Sequence, residues 1–135
     1  MSAAERFVDT NVLLYLLSGD QRKADRAEEV LAGGATISVQ VLNEFASVAS
    51  RKLGMSLTEV QEALEPIKLV CTVVPLTVAI HERALKLAQR HRFAIYDALI
   101  VGAALEHGCA WLCTEDLQDG QVIEKSLTIR NPFRQ

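Results

Sequence analysis

Hydrophobic positions along this chain change their period from stretch to stretch, and those changes mark out alternating strands and helices. Residues 6–8 make a short apolar run that stops at Asp9, and residues 11–18 follow as a short helix rich in leucine. A second helix is expected over 20–31, with Arg22, Lys23, Asp25, Arg26, Glu28 and Glu29 on its exposed side, ending at Gly33-Gly34. A strand at 36–39 leads into a helix over 40–53. There Val41, Leu42, Phe45, Val48, Ala49 and Leu53 recur at helical spacing until Gly54 stops the run.

Ser56 and Glu59 then supply a capping signal for a helix reaching Lys68. Residues 69–74 read as a β-branched strand closed by Pro75. Thr77 caps a helix that runs to His91 with Ile80, Ala84, Leu87 and Ala88 facing inward. Residues 96–107 form a strongly apolar helix ended by Gly108, followed by strands at 110–113, 122–123 and 127–130. This alternation predicts a single α/β domain, a central and mainly parallel sheet flanked by helices in an α/β/α sandwich.

Composition narrows what such a domain does. The 135 residues suffice for one real core, and with aromatics at only 5% that core must be aliphatic. A formal charge of −3 excludes a module that holds nucleic acid by bulk attraction, so any such contact needs local basic patches or bound cations. No apolar stretch reaches membrane-spanning length, and residues 1–6 lack the pattern of a secretory signal. Cys71, Cys109 and Cys113 match no zinc spacing, and a cytoplasmic protein with buried, reduced thiols is expected.

The acids carry the chemistry. In open parallel sheets ligands bind beyond the carboxyl ends of the strands. Asp9 ends the first strand, and Glu115-Asp116 follow the strand at 110–113. Asp97 opens an otherwise apolar helix, and Glu44 interrupts the apolar stripe between Leu42 and Phe45. Each has an ordinary explanation: Asp9 as a helix cap, Asp97 as a partner of its helix dipole, Glu44 as a boundary residue, Asp116 as part of a turn with Asp119-Gly120. Together they read differently. Four acids from separate segments, with no lysine or arginine beside them in sequence, either raise their own pKa values or recruit a cation. A hard divalent ion with oxygen ligands is the economical answer, and it suits hydrolysis of a phosphodiester.

The stretches "FVDTNVLLYLL", "ISVQVLNEFASVASRKLG", "FAIYDALIVGAALEHGCAWLCTEDLQDGQ" and "LTIRNPF" together resemble the PIN-domain ribonucleases of the VapC toxin type. The resemblance runs from Phe7 to Phe133 and implies a Mg²⁺- or Mn²⁺-dependent endoribonuclease acting on RNA. It matches Asp9, Glu44, Asp97 and Asp116 to the family's four catalytic, metal-holding acids, and Thr10, Asn11 and Thr114 to the polar residues that orient them. Asp119 is a further outer acid or, by preference, a turn residue, and Glu115 is expected to point away. Candidates for holding substrate phosphates are Arg51, Lys52, Arg90 and Arg92, with Arg22-Lys23 as a third pair; a solvated helix surface is the ordinary reading of each. The family also implies a homodimer and a cognate antitoxin protein that lays a helix into an apolar groove, for which the leucines of "NVLLYLLSGD" are candidates. Rival readings are a PIN nuclease for RNA maturation or DNA, a non-catalytic docking module, and a receiver-like signalling domain. The last needs adjacent acids near the first strand and a lysine soon after Cys113, neither of which is present.

Overall fold

The structure, a computed structural model, describes residues 5–134. Strand β1 (Arg6–Val8) passes through Asp9 into helix α1 (Thr10–Leu14) and a 3₁₀ turn, Tyr15–Leu17. Helix α2 (Gln21–Leu31) follows, then β2 (Ala35–Ser38), α3 (Val39–Lys52) and α4 (Leu57–Val70). The remaining elements are β3 (Cys71–Val74), α5 (Val78–His91), α6 (Ile95–Glu106), β4 (Trp111–Cys113), β5 (Val122–Ile123) and β6 (Leu127–Arg130).

The helix starts follow local chemistry. Asp20 accepts from the N–H groups of Arg22 and Lys23, Ser38 from Val41 and Thr77 from Ile80, each satisfying donors that the first helical turn leaves unpaired. Ser56 and Glu59 close the expected capping box at α4. Several boundaries shift by a residue: β2 covers Ala35–Ser38 so that Val39 opens α3, α6 begins at Ile95, and β4 begins at Trp111. Two differences have a local cause. Leu69 and Val70, expected in a strand, stay helical because α4, once nucleated, runs on until Cys71 turns extended at φ −110° and ψ 147°. The expected helix at 11–18 begins one residue earlier on the Asp9 cap and tightens into the 3₁₀ turn after Leu14.

The strands form one sheet in the order β3-β2-β1-β4-β6-β5, parallel at every pairing except β5 with β6. From β1 the chain moves outward to β2 and β3, then crosses to the other side of β1 to lay down β4. That reversal makes the carboxyl ends of β1 and β4 the switch point where a ligand crevice opens. Register places Phe7, Leu112 and Ile129 in one row across β1, β4 and β6, all essentially inaccessible to solvent. With Phe45, Val12 and Leu13 they fix the strand ends that carry the acids. Helices α5 and α6 pack as a hairpin, Gly102 against Ile80 and Ala84, so the turn after His91 leads directly to Asp97. All three cysteines are buried free thiols, as expected. Among the described residues no helix is long and apolar enough to cross a membrane.

Candidate active site

Asp9 lies at the switch point, 6% exposed, with its N–H bonded to the Cys113 carbonyl oxygen at 3.0 Å. That bond continues the β1–β4 ladder one residue past the strand and turns the side chain to the sheet's carboxyl edge. Its Oδ1 accepts from the Thr10 N–H at 2.7 Å, and its Oδ2 accepts from the Thr114 hydroxyl at 2.8 Å. The helix-capping role and the site role therefore coexist in one carboxylate.

Asn11 ties two acids together. Its Nδ2 donates to Asp116 Oδ2 at 3.0 Å, to Thr114 Oγ1 at 3.1 Å and more weakly to Asp9 Oδ2 at 3.4 Å. Thr114, fully buried, also accepts from the Asp116 N–H at 3.1 Å, which sets the direction of the chain after β4. Thr10 reaches in the other direction, its hydroxyl donating to Glu44 Oε1 at 3.4 Å. The polar residues matched by resemblance thus link Asp9 to Glu44 on one side and to Asp116 on the other.

Gln40 belongs to this network and was not singled out by sequence reasoning. It sits one turn before Glu44 on α3, 5% exposed, and its Nε2 donates both to Glu44 Oε1 and to the Tyr96 carbonyl oxygen, each at 3.0 Å. One amide therefore fixes the Glu44 carboxylate and pins α3 to the first turn of α6, beside Asp97. The available signal was a polar side chain at a helix position whose neighbour, Val41, is core. Its own Oε1 is buried without a hydrogen-bond partner, an expensive state that marks the tether as specific.

Burial and mutual charge both act on these acids. Burial pushes the Asp9 carboxyl up to about 7; the Thr114 and Thr10 hydrogen bonds oppose the rise, and the charges of Asp116 and Glu44 add to it. Asp97 is raised by burial and then by Asp116, despite its place at the positive end of α6. Among the described residues no three acid, histidine or cysteine side chains close on a single point as they stand. The four acids are instead linked pairwise: Asp9 with Glu44 and Asp116, and Asp97 with Asp116. The donor set is all oxygen, and the hydrogen-bond partners of Asp9 are a backbone N–H, an amide and a hydroxyl, none of them charged. Such a set fits a hard divalent cation and leaves its charge to be balanced from outside the chain.

Other candidates are sorted by geometry. Glu115 turns away: its carboxylate accepts from the Tyr15 hydroxyl at 2.7 Å, and Lys23 donates to that same hydroxyl at 3.1 Å. Asp119 accepts from the Asn131 N–H at 2.7 Å, a link across twelve residues that latches the loop before β5 to the segment after β6. Arg51 and Lys52 are exposed in the last turn of α3, about 10 Å along the helix axis from Glu44. Arg90 and Arg92 are exposed where α5 ends, Arg92 in the left-handed region at φ 59°, at the same end of the helix hairpin as Asp97.

Comparison with known proteins agrees with this arrangement. No curated protein matches. Among solved structures, a toxin–antitoxin complex from Klebsiella pneumoniae superposes with a TM-score of 0.73 at 22% identity, covering 96% of this chain and 98% of that one. FitAcB from Neisseria gonorrhoeae gives 0.70 at 18% identity, covering 96% and 99%. VapC20 from Mycobacterium tuberculosis, described as a sarcin-ricin loop cleaving toxin, gives 0.66 at 20% identity, covering 80% and 87%. At these identities the likeness establishes the fold. The family description "PIN domain" matches residues 6–119, most of the chain, with Asp9, Glu44, Asp97 and Asp116 all inside the match. The chain belongs to the PIN-domain family.

Proposed function

We propose that the protein is a divalent-metal-dependent endoribonuclease, the toxin of a toxin–antitoxin pair. One observation supports the reading: Asp9 is tied through Thr10 to Glu44 and through Asn11 and Thr114 to Asp116, and Asp116 in turn raises Asp97, so that acids from β1, α3, α6 and the segment after β4 act on one another near the switch point. Asp9, Asp97 and Asp116 would hold Mg²⁺ or Mn²⁺, which supplies activation of water and neutralisation of charge at the phosphate. Glu44, steadied by Gln40 and Thr10, orients the attacking water. Thr114 and Asn11 keep the Asp9 and Asp116 oxygens aimed at a shared space, so little reorganisation is needed when substrate arrives. In-line attack at phosphorus with departure of the 3′-oxygen leaves a 5′-phosphate and a 3′-hydroxyl.

The Klebsiella pneumoniae neighbour, described as a toxin–antitoxin complex, supports a protein partner. An apolar groove of about 420 Å³, lined by Leu16, Leu17, Leu31, Phe45, Ile67 and Val70 among others, is the surface we assign to an antitoxin helix. It uses the leucines of the first helical stretch, as expected from the sequence. The chain is read as a homodimer in its working form.

The test is cleavage of a mixed RNA and tRNA pool by the wild type and by Asp9→Asn, with product ends mapped. Cleavage should require Mn²⁺ or Mg²⁺, stop in EDTA and fall at least about a hundredfold in the variant. Equal activity in the variant would discard the site.

A further inference from the structure

The acid edge poses a problem for any polyanionic substrate, because the groups that would hold the metal also repel phosphate. A group of guanidinium side chains lies beside that edge, away from the four acids. Strand register puts Arg6 against Trp111 and Arg130 against Cys113, while alternation along β4 turns Trp111 and Cys113 to one side of the sheet. Helix α2 covers part of that side with Arg26. The result is a depression of about 140 Å³ in which Arg6, Arg26 and Arg130 surround Trp111 and Cys113. A second hollow of about 350 Å³ adjoins it through Arg26 and Arg130 and adds Arg134. Burial raises the Cys113 thiol, and the nearby charges of Arg6, Arg130 and Arg26 each oppose that rise.

Of the acids near this face, Glu29 pairs with Arg26 at 3.0 Å and offsets part of its charge, while Asp20, Asp25 and Asp119 are oriented by neutral donors: the N–H groups opening α2, Gln21 at 2.6 Å and the Asn131 N–H. Arg130 lies 4.1 Å over the Trp111 ring, so charge and a flat stacking surface are presented together, the combination that holds the backbone and bases of single strands. The face also connects directly to the acids. The Arg130 carbonyl oxygen accepts the Thr114 N–H at 3.0 Å, and Thr114 in turn holds Asp9.

We propose that this arginine face, from α2 across β4 and β6 to Arg134, is the track that holds the sugar–phosphate backbone of a single-stranded RNA whose scissile bond lies at the acids. The proposal rests on the ribonuclease reading above, and it moves the main substrate grip away from Arg51-Lys52 and Arg90-Arg92. Arg26 also supports the C-terminal tail, its Nε donating to the Pro132 carbonyl oxygen at 2.7 Å, so it is left unaltered in the test.

The experiment uses a fluorescein-labelled 20-nucleotide single-stranded RNA and the full chain. Binding is read by anisotropy in EDTA across a salt series, and cleavage of the same RNA in Mn²⁺. Arg130→Glu combined with Arg134→Glu should weaken binding at least about tenfold and flatten the salt dependence by about 0.7 log units per lost phosphate contact. In Mn²⁺ it should raise KM about tenfold with kcat nearly unchanged. Arg130→Lys with Arg134→Lys should restore most of the affinity, which a folding defect would not allow. Wild-type affinity in the charge-reversed variant, or a larger loss from Arg51→Glu with Lys52→Glu, overturns the track. So does competition by polyglutamate of matched charge as effective as that by unlabelled RNA, which would assign the face to an acidic protein. If the RNA binds with this arginine dependence but is not cut, the track stands and the nuclease reading falls; if it is cut and the variants bind normally, the reverse holds.

Discussion

Two places on this molecule bring carboxylates together, and they treat the resulting repulsion in opposite ways. Near the end of α6, Glu106 and Glu124 share one guanidinium: Arg83 bonds the first at 3.0 Å and the second at 2.9 Å. At the carboxyl edge of the sheet, Asp9, Glu44 and Asp116 accept hydrogen bonds from Thr10, Asn11, Gln40 and Thr114, all uncharged, and Asp97 is raised by burial and by Asp116. The chain evidently has the means to neutralise an acid pair internally. On the function proposed above, the cluster around the buried Asp9 is left for charge that arrives from outside.

The contrast can be tested from its strongest consequence downward. Asp9→Asn should remove at least about a hundredfold of the metal-dependent cleavage. Arg83→Ala, which breaks the internally balanced pair, should leave cleavage within about twofold of wild type. A comparable loss from Arg83→Ala would show that the two clusters are not separate in function.

The next effect is on stability without metal. Asp9 has its folded pKa raised to about 7, so between about pH 4 and pH 7 the unfolded chain has released a proton that the folded chain keeps. The stability of the metal-free protein should therefore fall as pH rises through that window and level off above it. Asp9→Asn should flatten the profile and, at pH 8, stabilise the metal-free fold by about 2 kcal/mol, the relief of desolvation less the acceptor lost to Thr114. Urea unfolding at pH 4.5 and pH 8 checks this. A wild-type stability that rises with pH, together with a destabilised variant, would refute the assigned protonation.

Smallest is the cost of breaking the balanced pair. Arg83 is about one-third exposed with both partners similarly placed, so Arg83→Ala should cost only about 1 kcal/mol, and less in high salt. Thermal unfolding with and without 0.5 M salt measures it.

Much of the acid edge was legible from sequence because each acid interrupts a local pattern. Asp9 stops an apolar run, Glu44 breaks an apolar stripe, and Asp97 opens an apolar helix. The mainly parallel sheet was legible for a similar reason, since each strand up to β4 is separated from the next by helices. What was not legible depends on register and distance along the chain. Gln40 reaches the Tyr96 carbonyl across 56 residues, and only the packing of α3 on α6 brings that about. Arg6, Trp111 and Arg130 come from three distant segments and meet through strand pairing alone. Local pattern misled at residues 69–70, where strand-favouring side chains were carried along by a helix already under way.

On the proposed function, the acid edge gains its balancing positive charge only from a divalent ion. The decisive measurement is thermal unfolding at pH 7.5 against Mn²⁺ concentration, for the wild type and for Asp9→Asn with Asp116→Asn. Mn²⁺ at about a hundredfold over its dissociation constant should raise the wild-type Tm by roughly 10 °C, reversibly with EDTA, and leave the double variant unmoved. A folded wild type whose Tm ignores Mn²⁺, or a double variant that responds equally, would contradict it.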